Sequence, residues 1–365
     1  MQIYIRKSTI YLSFYAVLAI IFYFAFGHDA LEGVIDFQFY ADSLTYEKAY
    51  LESSFSSVSE MVSVGNNYLG PLLLLEAVDG NRFLVMLVNI FILFWSIRLV
   101  GKGSEPTRLG LAVFLLFLSP ITFFSLISIN KEIISMLAMA FMVTWVRKKQ
   151  LGYLVLCLIC SFFVRWQFTL FVILVFLTFS PMNFLRNRRG WYVAILLLGL
   201  SVAYWLMLGF FSGITDIAEM GGMENEGSGL YTQFIRLQNQ GLYFLVFVPK
   251  ALHAMYGLIF KADHLLSPVD LYNDFVVTSH CIAAFLVFCL VLLKGRLRLS
   301  NDLVFVAVIY CAVFVLSPIY APRYFYPVFF LLCLVLSRLP PKTAAVITVG
   351  DETDSSLSSN PLRKV

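Results

Sequence analysis

The sequence contains few charged residues for its length, and this shortage indicates the class of protein. Of its 365 residues, 13% are charged and 60% are hydrophobic, with a mean hydropathy of +0.84. Soluble domains carry about 25% charged residues, so the composition argues against a soluble fold. Apolar runs recur at the length of about 20 residues that a helix needs to cross a bilayer. They are continuous rather than alternating, which argues against a transmembrane barrel.

Reactive side chains are scarce as well. The chain has six cysteines and four histidines, and every cysteine lies inside an apolar run, where small buried residues are expected. Cys157 and Cys160 form a C-x-x-C pair, but no partner ligands lie nearby. We therefore predict no cofactor, and no cluster of ligands argues for a metal. No basic patch indicates a nucleic-acid partner.

The apolar runs predict an all-α, polytopic membrane protein with about ten transmembrane helices. The first run is longer than the apolar part of a signal peptide and no A-x-A cleavage site follows it, so we interpret it as a retained span. The predicted spans are residues 9–27, 82–101, 109–128, 131–147, 151–164, 166–181, 191–211, 273–293, 302–318 and 324–338.

The lysines and arginines predict the orientation of these spans. Ten spans place both termini on one side of the bilayer, and most of the 26 basic residues fall on that side. The positive-inside rule assigns it to the cytoplasm. The other basic residues lie on the outer side or at the outer ends of spans, and they are Lys48, Arg82, Lys131, Arg165, Arg236, Lys250, Lys261 and Arg323.

Residues 242–260 are also apolar enough to span, yet a span there would move a basic loop to the outer side. We therefore predict a re-entrant or interfacial helical segment on the outer face. A single membrane domain of residues 1–340 then has two large outer loops, 28–81 and 212–272. Residues 341–365 are polar and predict a disordered cytoplasmic tail.

Lys131 and Glu132 interrupt the apolar stretch "FFSLISINKEIISMLAM" (123–139) between two predicted spans. One interpretation is a short loop with a local ion pair. Glu132 in a first helical turn suits the helix dipole, whereas Lys131 does not. A lysine at that position is better explained by an anion in front of it, and charged groups at membrane depth are functional candidates.

Other cations have similar alternatives. Arg165 in "CSFFVRWQFTLFV" lies between short spans with almost no loop, where it either snorkels to the interface or binds phosphate. Arg323 in "SPIYAPRYFYPV" is bracketed by prolines and tyrosines. Lys250 and His253 are one turn apart in the predicted interfacial segment, where they either anchor an amphipathic helix or join a site.

The first outer loop supplies a carboxylate in "FYADSLTYEKAYLE" (39–52). Asp42 and Tyr46 are spaced like one face of a helix. Asp42 either caps that helix or acts as a general base or ligand for a substrate hydroxyl. Glu47 is a further carboxylate of this loop. Outward-facing cations at membrane depth suit the phosphate of a lipid-linked substrate, and nearby carboxylates suit activation of a sugar hydroxyl.

The order "YADSLTYEKAY", "SINKE", "FFVRWQF" and "YAPRYFYP" along residues 1–340 resembles the Wzy/EpsG-type oligosaccharide-unit polymerases of bacteria and the related GT-C-like membrane glycosyltransferases. The chain departs from the GT-C pattern because it lacks a clear paired-acid motif and a large C-terminal outer domain. The resemblance therefore favours the polymerases, which assemble exopolysaccharide, capsule or O-antigen.

That resemblance implies a polyprenyl-phosphate-linked glycan as substrate, in the inner membrane, with a chain-length regulator or a flippase as partners. It implies phosphate binding by Arg165 and Arg323, with Arg236 as a further candidate. It also implies a catalytic residue with an acidic side chain in the first outer loop, which Asp42 matches. The expected reaction is glycosyl transfer. Its base is Asp42, Glu132 or His253, and Lys131, Arg165 and Arg323 stabilise the departing lipid diphosphate. Lys250 and Tyr46 are further candidates for binding the substrate or its phosphate.

Two other functions remain open. A flippase or exporter of lipid-linked oligosaccharide is the alternative, although its charges should follow a central cavity rather than one face. An O-acyltransferase needs a membrane-embedded histidine, for which His280 is the candidate.

Overall fold

This computed structural model describes residues 7–27, 41–52, 66–101, 108–181, 183–209, 229–268 and 271–338. Helices make up almost all of these residues, and no strand occurs among them, which confirms the all-α class. The predicted tail, 341–365, lies outside them. The described α-helices are α1 (Lys7–Phe22), α2 (Ala41–Glu52), α3 (Asn66–Ala77), α4 (Arg82–Gly101), α5 (Leu109–Phe117), α6 (Pro120–Ile127), α7 (Glu132–Lys148), α8 (Leu151–Phe162), α9 (Trp166–Phe179), α10 (Arg189–Leu206), α11 (Gly229–Asn239), α12 (Tyr243–Tyr256), α13 (Thr278–Leu293), α14 (Asp302–Phe314) and α15 (Tyr326–Ser337).

Three helices, α7, α14 and α15, form the centre of the protein. Almost every residue of each is buried, as expected for helices that are apolar on all sides. α7 packs against α4 and α8, and α15 packs against α5, α13 and α14. The outer helices instead leave an apolar face uncovered.

Helix α10 is the clearest of these outer helices. Its large exposed side chains recur every three or four residues along one face. A continuous apolar stripe of this kind is rare on a soluble surface and suits contact with lipid. The stripe consists of Trp191, Ile195, Leu198, Val202 and Trp205.

Five helices of the described chain are long and apolar enough to cross a membrane, and a sixth candidate is the pair α5–α6, which is bent by 81°. A multi-pass membrane protein accounts for this number. The count of about ten spans is not confirmed, because several predicted spans are helices of fewer than 18 residues. The five long candidates are Lys7–Ala25, Arg82–Gly101, Arg189–Leu206, Tyr243–Leu266 and Leu271–Leu293.

The predicted re-entrant segment is the long helical stretch Tyr243–Leu266, in which α12 continues into a 3₁₀ segment, Gly257–Leu266. Its length places it among the candidate spans, so a re-entrant path remains a prediction. Two contacts indicate how α12 lies. Tyr243 donates a hydrogen bond to the carbonyl of Ala312, and Met255, three turns later, meets Cys311. Side chains from both ends of α12 thus contact the same turn of α14.

The short connections between helices decide which residues share an end of the bundle. α7 and α8 are joined by Lys149 and Gln150, and α8 and α9 by residues 163–165. Such short connections make packed neighbours antiparallel. The starts of α7 and α9 therefore lie at the same end.

Basic side chains cap helices at the opposite end. Arg147 donates a hydrogen bond to the carbonyl of Val100, the penultimate residue of α4. Arg296 donates to the carbonyls of Val335, Leu336 and Arg338 at the end of α15. Basic side chains suit helix C-termini, where carbonyls lack partners.

Candidate functional site

Four segments that are far apart in the chain meet at the end of the bundle where α7 and α9 begin. Lys131 precedes α7, Arg165 precedes α9, and Arg323 lies in the 3₁₀ turn before α15. The fourth segment, α2, brings Asp42 and Tyr46 against them. Because helix N-termini carry partial positive charge, three helices point their positive ends to a place that already holds three cations.

Asp42 forms an ion pair with Arg323, with 2.7 Å between Oδ2 and Nη2. Arg323 also donates to the hydroxyl of Tyr272 at 3.2 Å, and Tyr46 donates to Asp42 at 3.5 Å. Burial alone would raise the pKa of Asp42, but Arg323, and next to it Arg165, outweigh burial and hold that pKa below its ordinary value. Asp42 is therefore a tightly held counterion of Arg323.

Arg165 and Lys131 have no carboxylate within ion-pair distance among the described residues, although each side chain is more than nine-tenths buried. The guanidinium of Arg165 lies over the ring of Tyr324, 3.3 Å from its centre. The ammonium of Lys131 lies over the ring of Tyr46 at 5.3 Å. Buried cations without a paired anion are unfavourable, so these two are suited to an anion that enters from outside.

The loop before α7 is held by two asparagine side chains. Asn130 accepts a hydrogen bond from the backbone N–H of Glu132 and donates to the carbonyls of Ser125 and Ser128. Asn89, buried in α4, donates to the carbonyls of Ser125, Leu126 and Ser128. The sharp entry into α7 thus has its backbone groups satisfied, and Lys131 and Glu132 are fixed in place.

Two anchors attach α2 to the bundle. Glu47 and Arg82 form a two-pronged ion pair between α2 and the start of α4. Ser43 accepts a hydrogen bond from the backbone N–H of Ile129 at 3.2 Å. Glu47 therefore holds α2 against α4. Asp42, on the same helix, instead pairs with one of the cations.

A close contact between α3 and the α8–α9 connection lies next to Arg165. Gly70 of α3 lies directly on the backbone of Phe163, so that any side chain at Gly70 would overlap the Phe163 carbonyl oxygen. Phe163 is two residues before Arg165. The absence of a side chain at Gly70 lets α3 press against the α8–α9 connection.

A narrow pocket lies between these segments. Its charged lining consists of the three cations and Glu132, and its other lining residues come from α7, α14, the α8–α9 connection and the segment that leads into the first turn of α15. Glu132 is buried, and its Oε2 accepts a hydrogen bond from the backbone N–H of Lys131. The lining residues are Lys131, Glu132, Ser135, Val164, Arg165, Tyr310, Phe314, Arg323, Tyr324 and Pro327.

Lys250, a predicted phosphate ligand, lies apart from this pocket. Its Nζ donates to Oε1 of Gln238 at 2.6 Å and to the carbonyl of Ser317 at 3.2 Å, and the side chain is fully buried. Gln238 donates to the carbonyl of Leu316, and Tyr231 to that of Ser317. These side chains satisfy the backbone beyond the end of α14. Lys250 thus occupies a structural position.

Two other predicted residues are also separate from the pocket. His253, proposed as a base, packs among the rings of Tyr231, Phe234 and Tyr320. Arg236 is exposed on α11. His280 is buried inside the bundle, where its Nδ1 meets the hydroxyl of Ser119 at 2.7 Å at the bend between α5 and α6.

Some contributors were missed in the sequence. Tyr272, Tyr324 and Ser135 carry no individual signal, because aromatic and small polar residues are common in helices of this kind. Asn89 did carry one, since an amide inside an apolar span is costly without partners. Its partners are carbonyls more than 30 residues away, which no local pattern reveals.

The described residues contain no group of histidine, cysteine and carboxylate side chains that could hold a metal. All six cysteines lie in described helices and none is paired. Comparisons with protein-family models, curated proteins and solved structures found no match to this chain.

Proposed function

We propose that the chain is a glycosyltransferase that joins polyprenyl-(di)phosphate-linked oligosaccharide units, as in the assembly of exopolysaccharide, capsule or O-antigen. The observation that carries the proposal is the buried pair Lys131 and Arg165, two cations without a carboxylate partner in the described chain, beside Arg323 and three helix N-termini. The positive charge of this arrangement suits a phosphate group at the depth of a membrane surface.

The proposed topology has about ten spans in the inner membrane, with both termini in the cytoplasm and the pocket on the outer face. The basic residues that cap α4 and α15 lie at the other end of the bundle, which is consistent with a cytoplasmic location. In this topology, short helices such as α8 and α9 cross the membrane at places where other helices or a thinned bilayer surround them.

In the proposed reaction, an acceptor hydroxyl attacks the anomeric carbon of the lipid-linked sugar. The bond between that carbon and the phosphate oxygen breaks, and its electron pair leaves with the lipid phosphate. Lys131 and Arg165 stabilise the charge that develops on this oxygen, and a carboxylate of the pocket accepts the hydroxyl proton. Fixed charges in a site without bulk water are the strongest single source of rate acceleration in many enzymes.

The test uses native cells that carry the full chain, Arg165→Ala or Arg323→Ala, with membrane expression measured. We expect each substitution to reduce long polymer by about 100-fold or more and to leave single-unit, lipid-linked oligosaccharide on the outer leaflet. Arg186→Ala is the matched control, because Arg186 is exposed and precedes α10 at the opposite end.

Two outcomes would reject the proposal. Wild-type amounts of polymer from both pocket variants would show that the cations are not needed. Accumulation of the single unit on the inner leaflet would identify the alternative function, a flippase or exporter, since the substrate would then fail to cross the membrane.

A further inference from the structure

The pocket contains one carboxylate that the ion pairs leave unused. Glu132 lines the pocket and is 6% exposed, and its Oε1 has no hydrogen-bond partner among the described residues. Its Oε2 accepts only from the N–H of Lys131, at 3.1 Å. Oε1 is not among the fully buried side-chain atoms that lack a partner, so it is open to the pocket, where the hydroxyl of a ligand can donate to it.

Two carboxylates of α2 have different positions. Asp42 does not line the pocket, and its Oδ2 is held by Arg323 at 2.7 Å. Glu47 is committed to Arg82. A carboxylate that an arginine holds in an ion pair is a poor proton acceptor, because the pair favours the charged form. Asp42 and Glu47 are therefore positioning groups.

We infer that Glu132 is the catalytic base, and that Asp42 is the counterion that positions Arg323. This inference rests on the proposed function and assigns the proton acceptor within it. Glu132 accepts the proton from the acceptor hydroxyl through Oε1 as the new carbon–oxygen bond forms. The bond from the anomeric carbon to the phosphate oxygen breaks in the same step.

The charges of the pocket balance during this step. Glu132 loses one negative charge when it takes the proton, and the departing lipid phosphate gains one. Lys131 and Arg165 line the pocket beside Glu132, so these cations have an anionic neighbour both before and after transfer. A base farther away, such as His253, would separate the two changes of charge.

The experiment compares Glu132→Gln with Asp42→Asn in the full-length protein. Polymer and lipid-linked single units are measured in native cells. Purified protein in lipid nanodiscs is titrated with inorganic pyrophosphate as the anion probe. We expect Glu132→Gln to reduce polymer formation by about 100-fold or more while its affinity for pyrophosphate is kept. Asp42→Asn should keep polymer formation within about tenfold of the wild type, because the proton acceptor is intact.

A conservative variant separates catalysis from structure. Glu132→Asp keeps the carboxylate, so it should retain part of the polymer formation that Glu132→Gln loses. This variant also covers the case in which Glu132→Gln does not reach the membrane.

Several results would overturn the inference. They are polymer formation by Glu132→Gln close to the wild-type level, a loss in Asp42→Asn as large as in Glu132→Gln, or loss of pyrophosphate binding in Glu132→Gln. The last would mean that Glu132 only holds the loop before α7. Failure of the proposed function looks different, since Arg165→Ala would then make normal polymer and bind pyrophosphate as the wild type does.

Discussion

Asp42 shows how one residue's charge is coupled to the position of a helix. Its ion pair with Arg323 is the contact by which the first turn of α2 reaches the 3₁₀ turn before α15. The surrounding arginines lower its pKa. A lowered pKa in the folded state means that the pair adds stability at pH values above the ordinary carboxyl pKa, and that this stability is lost as pH falls through the lowered pKa.

We therefore predict that the first turn of α2 stays paired with Arg323 from pH 8 to pH 5 and loosens only below about pH 4, the ordinary range of an aspartate. A fluorophore on Lys48→Cys, an exposed position of α2, would report this as a rise in mobility. In Asp42→Asn the label should be more mobile than in the parent protein from pH 5 to pH 8, although the anchors at Ser43 and Glu47 still hold α2. A rise near pH 6 to 7 in the parent protein would mean that another group controls the helix.

At this scale the sequence predicted much of the cluster. Lys131, Arg165 and Arg323 were singled out because charges are rare in apolar runs, and the structure brings all three to one pocket. The same signal also selected Lys250, which lies outside the pocket and donates a hydrogen bond to Gln238. The difference lies in Gln238 and Ser317, whose distance along the chain from Lys250 hides their role from any local pattern.

Helix α3 is an element whose position depends on a single missing side chain. Gly70 lies on the Phe163 carbonyl, two residues before Arg165. A methyl group there cannot be accommodated, because the obstacle is backbone rather than a flexible side chain. Gly70→Ala must therefore move α3 or the α8–α9 connection.

We predict that Gly70→Ala reduces polymer formation at least tenfold, although Gly70 does not line the pocket. The reason is that Arg165 moves with the α8–α9 connection. Under the proposed function, a small displacement of this group greatly reduces the reaction rate. The polymer assay measures the effect. Gly152→Ala in α8 is the control, since a methyl group there meets no neighbour. Equal activity of both variants would contradict the coupling.

The elements themselves were largely predictable, and their exact geometry was not. Each predicted span coincides with a described helix or, at 109–128, with a bent pair. The 81° bend lies between Phe117 and Pro120. Proline has no backbone N–H, so Pro120 cannot continue the hydrogen bonding of α5. The proline was visible in the sequence, but the angle depends on how α6 packs against α4, which local patterns do not encode.

The described part of the molecule has a buried centre and outer helices that each leave an apolar face uncovered. α7, α14 and α15 are enclosed, so their apolar residues reflect packing in protein as much as contact with lipid. Composition cannot distinguish these two environments, because both favour the same side chains. This is why hydropathy predicted about ten spans, while five to six helices in the described part of the chain have the length to cross.

The short helices beside the pocket have a mechanical consequence for the surrounding lipid. α8 has 12 residues and α9 has 14, which corresponds to about 18 to 21 Å at 1.5 Å per residue. The hydrocarbon core of a bilayer is about 30 Å thick. A protein wall shorter than the bilayer creates hydrophobic mismatch, which the lipid relieves by thinning.

Thinning next to α8 and α9 would draw lipid head groups down toward Lys131 and Arg165, so the membrane itself would deliver phosphates to the pocket. We predict that activity in reconstituted bilayers rises as acyl chains shorten from 20 to 14 carbons, by roughly a few-fold since mismatch costs are modest. Activity independent of chain length would contradict this. Under the proposed function, bilayer thickness would then change the rate of transfer as a change in substrate concentration would.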